Sequence, residues 1–244
     1  VSRQFGWEDQ SMPPLQRVAA TLASIDPDHP DASQPRRRMA EAVRRLVEEV
    51  ATTNADDETL GELAQLIEAT GIRLAATRHD RQYLGVAEGS LAGAGSYLEY
   101  SPLVGPSNPL STQTRVELVG DHVIATATFG AAYEGPPGCL HGGLVAAFFD
   151  DILGMTQGTK GRPGMTGRLT IHYRKPTPLY RPLRLEAWVS SQEGRKTVVR
   201  GTLHSGETLC AEGEGLFISL DPNKFTTLLA DRSGEHREEG VAEP

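Results

Sequence analysis

Between Leu144 and Leu153 the chain reads Leu-Val-Ala-Ala-Phe-Phe-Asp-Asp-Ile-Leu, and no polar stripe runs through it at helical spacing. A helix that is apolar all round belongs inside a core. Two carboxylates, Asp150 and Asp151, nevertheless sit two turns in. Carboxylates are rarely buried without a partner or a task. The approach is a Gly/Pro loop, Gly135 to Gly138, and His141-Gly142-Gly143 opens the helix. Glycines in a first turn let a ligand reach bare N–H groups at the positive end of the helix dipole. A buried helix with an acid inside it and an open N-terminus has the makings of a site.

On both sides of this helix the apolar period is two. Val116 and Leu118, then Val123, Ala125 and Ala127, flank Gly120-Asp121 and predict a hairpin. The helix should reach about Thr156, with a loop over Gly158–Gly164 whose glycines lack the GK[ST] of a phosphate loop. Strands are then expected at Met165–Tyr173, Leu183–Ser191, Lys196–Leu203 and Thr208–Ser219. The result is an α+β unit of two strands, one helix and four strands. One helix leaves the other face or an edge of such a sheet uncovered, and dimerisation would cover it.

The preceding stretch has a different texture. Residues 1–35, rich in Pro, Asp, Ser and Gln, read as an irregular arm. Arg36–Val50 predicts a helix with Met39, Val43, Leu46, Val47 and Val50 on one face, packed on the main domain or on a partner subunit. A second helix should start at Thr59 as N-cap, with Glu62 closing a capping box, and stop at Gly71. Residues 85–112 read as a surface linker anchored by Tyr97 and Tyr100. Three segments result: a mostly helical extension over 1–107, a main domain over 108–222 and a tail over 223–244.

The net charge of -8 excludes general nucleic-acid binding, but its distribution is uneven. Residues 160–200 carry 10 Lys and Arg against Glu186 and Glu193 alone. That local excess suits an anionic ligand, or else solvates a basic sheet face. Two cysteines make neither a disulfide framework nor a zinc set, and no metal or cofactor is expected. With no apolar run near 18 residues and no secretory pattern at the start, no membrane span is expected and the compartment defaults to cytoplasmic.

In Met165-Thr-Gly-Arg-Leu-Thr-Ile-His-Tyr-Arg-Lys175, simple alternation puts Leu169, Ile171 and Tyr173 on one face. Thr166, Arg168, Thr170, His172 and Arg174 fall on the other. Such a polar face suits an extended anion, or plain solvent.

Taken together, Gly135-Pro-Pro-Gly-Cys-Leu-His-Gly-Gly143, Asp150, Thr166 and His172-Tyr-Arg-Lys-Pro-Thr-Pro-Leu179 resemble the hotdog-fold acyl-CoA thioesterases. The likeness is to the phenylacetate-pathway type and to the mitochondrial long-chain branch, and covers roughly residues 108–220. It implies a hotdog fold, with a long central helix wrapped by an antiparallel β-sheet, and an acyl-CoA substrate. It also implies a homodimer with sites across the interface, or a dimer of dimers. By the same resemblance Asp150 is the catalytic carboxylate and Thr166 helps hold the attacking water. His141-Gly142-Gly143 polarises the thioester carbonyl, with the Gly142 N–H as donor. His172, Arg174, Arg195 and Lys196 match positions that contact coenzyme A. The loop carries Gly135–Gly138 where some phenylacetate-type members have an Asn or Gln, so it offers no side-chain oxyanion donor there.

The chemistry is legible without the family. Thioester hydrolysis needs a nucleophilic oxygen, a base and donors for the developing oxyanion. Asp150 can activate water or attack directly, and the sequence leaves both open. Eight residues separate it from Gly142, about 12 Å along a helix. That distance asks for Asp150 of one subunit to face Gly142 of another. Three alternatives stand beside this assignment. Asp151 could be the base, Cys139 and His141 could form a nucleophile pair, and His141 could simply fix the loop. A non-catalytic module that binds acyl-CoA or a protein partner remains the alternative function, and nothing marks a hydratase.

Overall fold

The computed structural model describes residues 13–25, 34–77, 98–161 and 164–219. Six strands make one antiparallel sheet: β1 (Arg115–Val119), β2 (His122–Ala127), β3 (Gly164–Tyr173), β4 (Leu183–Glu193), β5 (Lys196–Ser205) and β6 (Thr208–Ser219). Their spatial order is β1-β2-β4-β5-β6-β3, so β1 and β3 are the edges. Gly120 takes φ +65 in the expected hairpin turn. Helices α1 (Pro14–Ser24), α2 (Gln34–Thr52) and α3 (Asp57–Ala75) precede the sheet, and α4 (Gly142–Gln157) connects β2 to β3.

Helix α4 packs against β2 to β6 of the sheet. Phe148, Phe149, Ile152 and Leu153 are fully buried against Leu183, Leu185, Ala187, Val199 and Leu203. Burying one such side chain stabilises by about 1.5–3 kcal/mol, so this helix anchors the core. It sits close because β6 presents Gly213 and Gly215, where a Cβ would overlap the Phe149 ring or stand 3.3 Å from Leu153. The long helix wrapped by an antiparallel sheet, with a helical extension before it, is the architecture expected of a hotdog fold.

Part of the extension departs from expectation. The supposed irregular arm contains α1, whose Pro14 sits in the first turn, where a missing N–H costs nothing. Its Leu22, together with Ile25, is buried in the core. Helix α3 is capped by Asp56, which accepts from the Thr59 N–H at 2.8 Å, so Thr59 is the third residue of the helix and not its cap. The helix also runs through Gly71 to Ala75. Helix α2 docks through its polar side: Arg37 pairs with Glu99 in two hydrogen bonds, and Glu48 accepts from Ala131 N and Tyr180 Oη. The linker is pinned by buried Leu98 and Val104, while Tyr100 lies under the Arg36 guanidinium. Tyr97 and the tail over 223–244 lie outside the described residues. Among the described residues, no helix is long and apolar enough to cross a membrane.

Candidate active site

Asp150 and Thr166 meet. Thr166 Oγ1 donates to Asp150 Oδ1 at 2.9 Å, joining the middle of α4 to the edge strand β3. Simple alternation does not predict this contact, because it groups Thr166 with Arg168, Thr170 and His172. Strand register explains the difference. Thr166 pairs with Phe217 and Arg168 with Leu216, so Gly167 is an extra residue in a β-bulge. Phe217 faces the core, and Thr166 turns inward with it. From Arg168 onward the polar residues face away from the helix, against Glu214 and Glu212 of β6. The single polar face expected over Thr166–Arg174 is therefore two faces, divided at Gly167.

The opening of α4 is held as one unit. His141 is the N-cap, its Nδ1 accepting from the Gly143 N–H at 3.0 Å, which fixes the tautomer with the proton on Nε2. Tyr173 Oη donates to the Gly142 carbonyl at 2.8 Å. These two bonds grip opposite sides of the same Gly142–Gly143 peptide. The Gly142 N–H, at the first helical position, has no acceptor among the described residues. An oriented, unoccupied N–H at a helix start can stabilise a developing oxyanion. With its Nδ1 engaged by the Gly143 N–H, His141 holds the start of the helix to the loop. Sequence reading passed over Tyr173 because alternation placed it with Leu169 and Ile171. That placement is correct, but its hydroxyl reaches the helix end.

Asp151 turns the other way. Ser101 Oγ donates to its Oδ2 at 2.7 Å and accepts from Leu103 N and Val104 N, tying α4 to the linker. Part of the residue stays accessible, yet its carboxylate is enclosed by protein atoms. Burial raises its pKa from 3.8 to about 6, partly offset by the Ser101 bond and reinforced by the charge on Asp150. A raised acid pKa contributes stability below pH 3.8 that is lost as pH climbs through 6. Asp151→Asn keeps an acceptor for Ser101 without the buried charge. In urea unfolding the variant should match the parent near pH 4 and exceed it by about 2–3 kcal/mol at pH 8. An equal gap at both pH values would show that the carboxylate is not desolvated.

The basic segment is less bare than its composition suggests. Arg174 pairs with Glu212 at 2.6 Å, Arg200 with Glu214 at 2.9 Å and Arg184 with Glu186 at 2.6 Å. Glu212 and Glu214 come from β6, outside the 160–200 window, which is why counting within the window overstated the excess. Arg195 and Lys196 have no carboxylate partner among the described residues, and Arg195 Nε donates to Ser219 O at 3.1 Å. Ser219 pairs with Gly164, so these two cations lie at the Thr166 end of β3. His172 and Arg174 lie at the Gly142 end, on the outer side. The nine expected residues thus fall into an Asp150–Thr166–Arg195–Lys196 end and a His141–Gly142–Gly143–His172–Arg174 end. About 12 Å of helix separates them. Among the described residues, no group of three or more His, Cys, Asp or Glu is placed to hold a metal.

Residues 137–212, which span both ends, match the model of the thioesterase superfamily. Acyl-coenzyme A thioesterase THEM4 of Bos taurus is 37% identical over 100 residues, 40% of this chain and 41% of that protein. The protein of the same name in Rattus norvegicus is 38% identical over 100 residues, 40% of this chain and 43% of its own. This chain thus covers less than half the length of these relatives. The crystal structure of a thioesterase superfamily protein aligns with TM-score 0.68 at 29% identity, over 78% of this chain and 96% of that one. Residues 108–222 are under half of this chain, so that likeness continues into the N-terminal helices.

Proposed function

We propose that this chain, whose residues 137–212 match the model of the thioesterase superfamily, hydrolyses acyl-CoA thioesters to a free acid and coenzyme A. The observation that carries the reading is the 2.9 Å bond between Thr166 and Asp150. It fixes one carboxylate oxygen and leaves the other to take a proton from water. The water oxygen attacks the thioester carbon while Asp150 Oδ2 accepts its proton, and the oxyanion forms against the Gly142 N–H of a second subunit. When the tetrahedral intermediate collapses, the C–S bond breaks and the leaving sulfur takes the proton back from Asp150.

The edge position of β3 supports a second subunit. Helix α4 and β3 run antiparallel, with Gln157 bonded to Gly164 O at one end and Tyr173 to Gly142 O at the other. Two copies paired antiparallel through β3 set the Asp150–Thr166 end of one beside the Gly142 end of the other. The name of the mammalian relatives supports acyl-CoA as substrate. Free thiol released from a panel of short, medium, long and aromatic acyl-CoAs tests the reading, with product mass excluding a hydroxyacyl-CoA. Tight binding of acyl-CoA without thiol release would instead make this a non-catalytic module.

Coenzyme A carries a pyrophosphate and a 3′-phosphate, and among the described residues Arg195 and Lys196 are cations at the Thr166 end without a carboxylate partner. Arg195→Ala combined with Lys196→Ala should raise KM about 10-fold or more with little change in kcat. The loss should shrink at high salt, where screening weakens the parent as well. A truncated thioester without the nucleotide should not respond. If it suffers equally, these side chains serve the fold and not the coenzyme.

A further inference from the structure

Helices α2 and α3 each expose an apolar seam that their own chain leaves uncovered. In α2 the seam is Met39, Val43, Leu46 and Val50, spaced four, three and four residues apart. In α3 it is Leu60, Leu63, Ile67, Thr70 and Leu74, spaced three, four, three and four. That is the spacing with which helices pack against helices. The polar flank of α2, Arg37, Arg44 and Glu48, is already spent on the linker and the main domain, so its seam faces outward. Every residue of α3 is exposed, including Leu66 at 66% and Ile72 at 73%. Although only Thr53–Asp56 separates them, the two helices do not close on one another.

We propose that these seams are covered by a second copy of this chain, α3 of each copy lying along α2 of the other. Both helices are 19 residues long, so the seams match in extent. Their charges are opposite. With Arg37, Arg44 and Glu48 spent on its own chain, helix α2 has Arg36, Arg38 and Arg45 against Glu41 and Glu49, while α3 holds Asp57, Glu58, Glu62 and Glu68 against Arg73. An acidic apolar helix suits a basic one and is repelled by an anionic membrane surface. Gly61 and Gly71 point the same way. Glycine is disfavoured inside a helix, and a Cβ at either position would meet nothing within 4 Å in this chain. A helix weakened in this manner, with nothing packed on it, needs an external surface to persist. Reciprocal exchange about a two-fold axis satisfies both seams at once. It is independent of the pairing through β3 and of the hydrolytic reading.

The test reads which helices touch as well as the mass of the particle. Two differently tagged full-length chains, Leu46→Cys and Ile67→Cys, are mixed and treated with a short bismaleimide. The native chain supplies the background from half-buried Cys139 and buried Cys210. A covalent species containing one of each tag is expected, and a chain carrying both substitutions should link between copies. Leu63→Glu with Ile67→Glu should abolish the link, weaken self-association at least 10-fold and lower the helical circular dichroism. A link formed only within the doubly substituted chain overturns the exchange, because the hairpin then closes on itself. So does absence of any link, or sedimentation of the native chain with phosphatidylserine vesicles that the glutamates abolish.

Discussion

Asp150→Asn should lower kcat by about 10²–10⁴-fold, the range expected when a general base is removed, in a chain that still folds. The asparagine Oδ1 can still accept from Thr166 Oγ1, so the 2.9 Å link between α4 and β3 has a substitute and the core around it is unchanged. What disappears is the second carboxylate oxygen, replaced by an amide that cannot take a proton from water. KM should move little, because the acyl chain and nucleotide contacts are untouched. Steady-state kinetics on the best acyl-CoA, with circular dichroism as a control for folding, make the measurement. Near-normal turnover in this variant, with turnover lost in Asp151→Asn, would mean that the acid facing Ser101 is the base.

Gly142→Pro should cost about 10²–10³-fold in kcat while Gly142→Ala stays close to the parent. The comparison isolates one N–H group. Proline is favoured at the first helical position, and His141 before it has φ -58 and ψ 132, a backbone that precedes proline without strain. A Cβ at Gly142 would stand 3.5 Å from the Tyr173 hydroxyl, ordinary contact distance, so neither substitution should unfold the helix start. Alanine keeps the N–H and proline removes it. If both variants lose activity equally, the glycine is required for space and the N–H is not the oxyanion donor. If neither does, the donor lies elsewhere.

The helix and its acid were legible because all-round apolarity over Leu144–Leu153 has few structural solutions, and the strands because their period was clean. Two kinds of information were missing. Helix α1 was hidden by prolines that read as breakers, although Pro14 in a first turn is a start signal, and Leu15, Val18 and Leu22 have helical spacing. The bulge was hidden because one unpaired residue leaves no trace in composition. Gly167 within a strand pattern was its single available sign. The partners of the basic segment were missed for a related reason: Glu212 and Glu214 are remote in sequence from Arg174 and Arg200 and adjacent only once β6 pairs with β3 and β5. Resemblance to the family linked Thr166 to Asp150, and strand geometry alone would have turned it away.

The bulge at Gly167 also changes what kind of position Thr166 occupies. Plain alternation across one intervening residue would put Thr166 and Arg168 on the same side, and they lie on opposite sides because Gly167 takes no partner on β6. Losing Gly167 would set Thr166 directly before Arg168, where alternation alone keeps it opposite Phe217 and facing the core, with every pairing from Arg168 to Tyr173 intact. A paired residue at 167 would instead send the hydroxyl to the solvent side. The inward face of Thr166 therefore rests on the unpaired residue and not on the spacing. Comparisons between chains of this kind should accordingly match the hydroxyl by its partner on β6 before counting its distance from the first outward arginine.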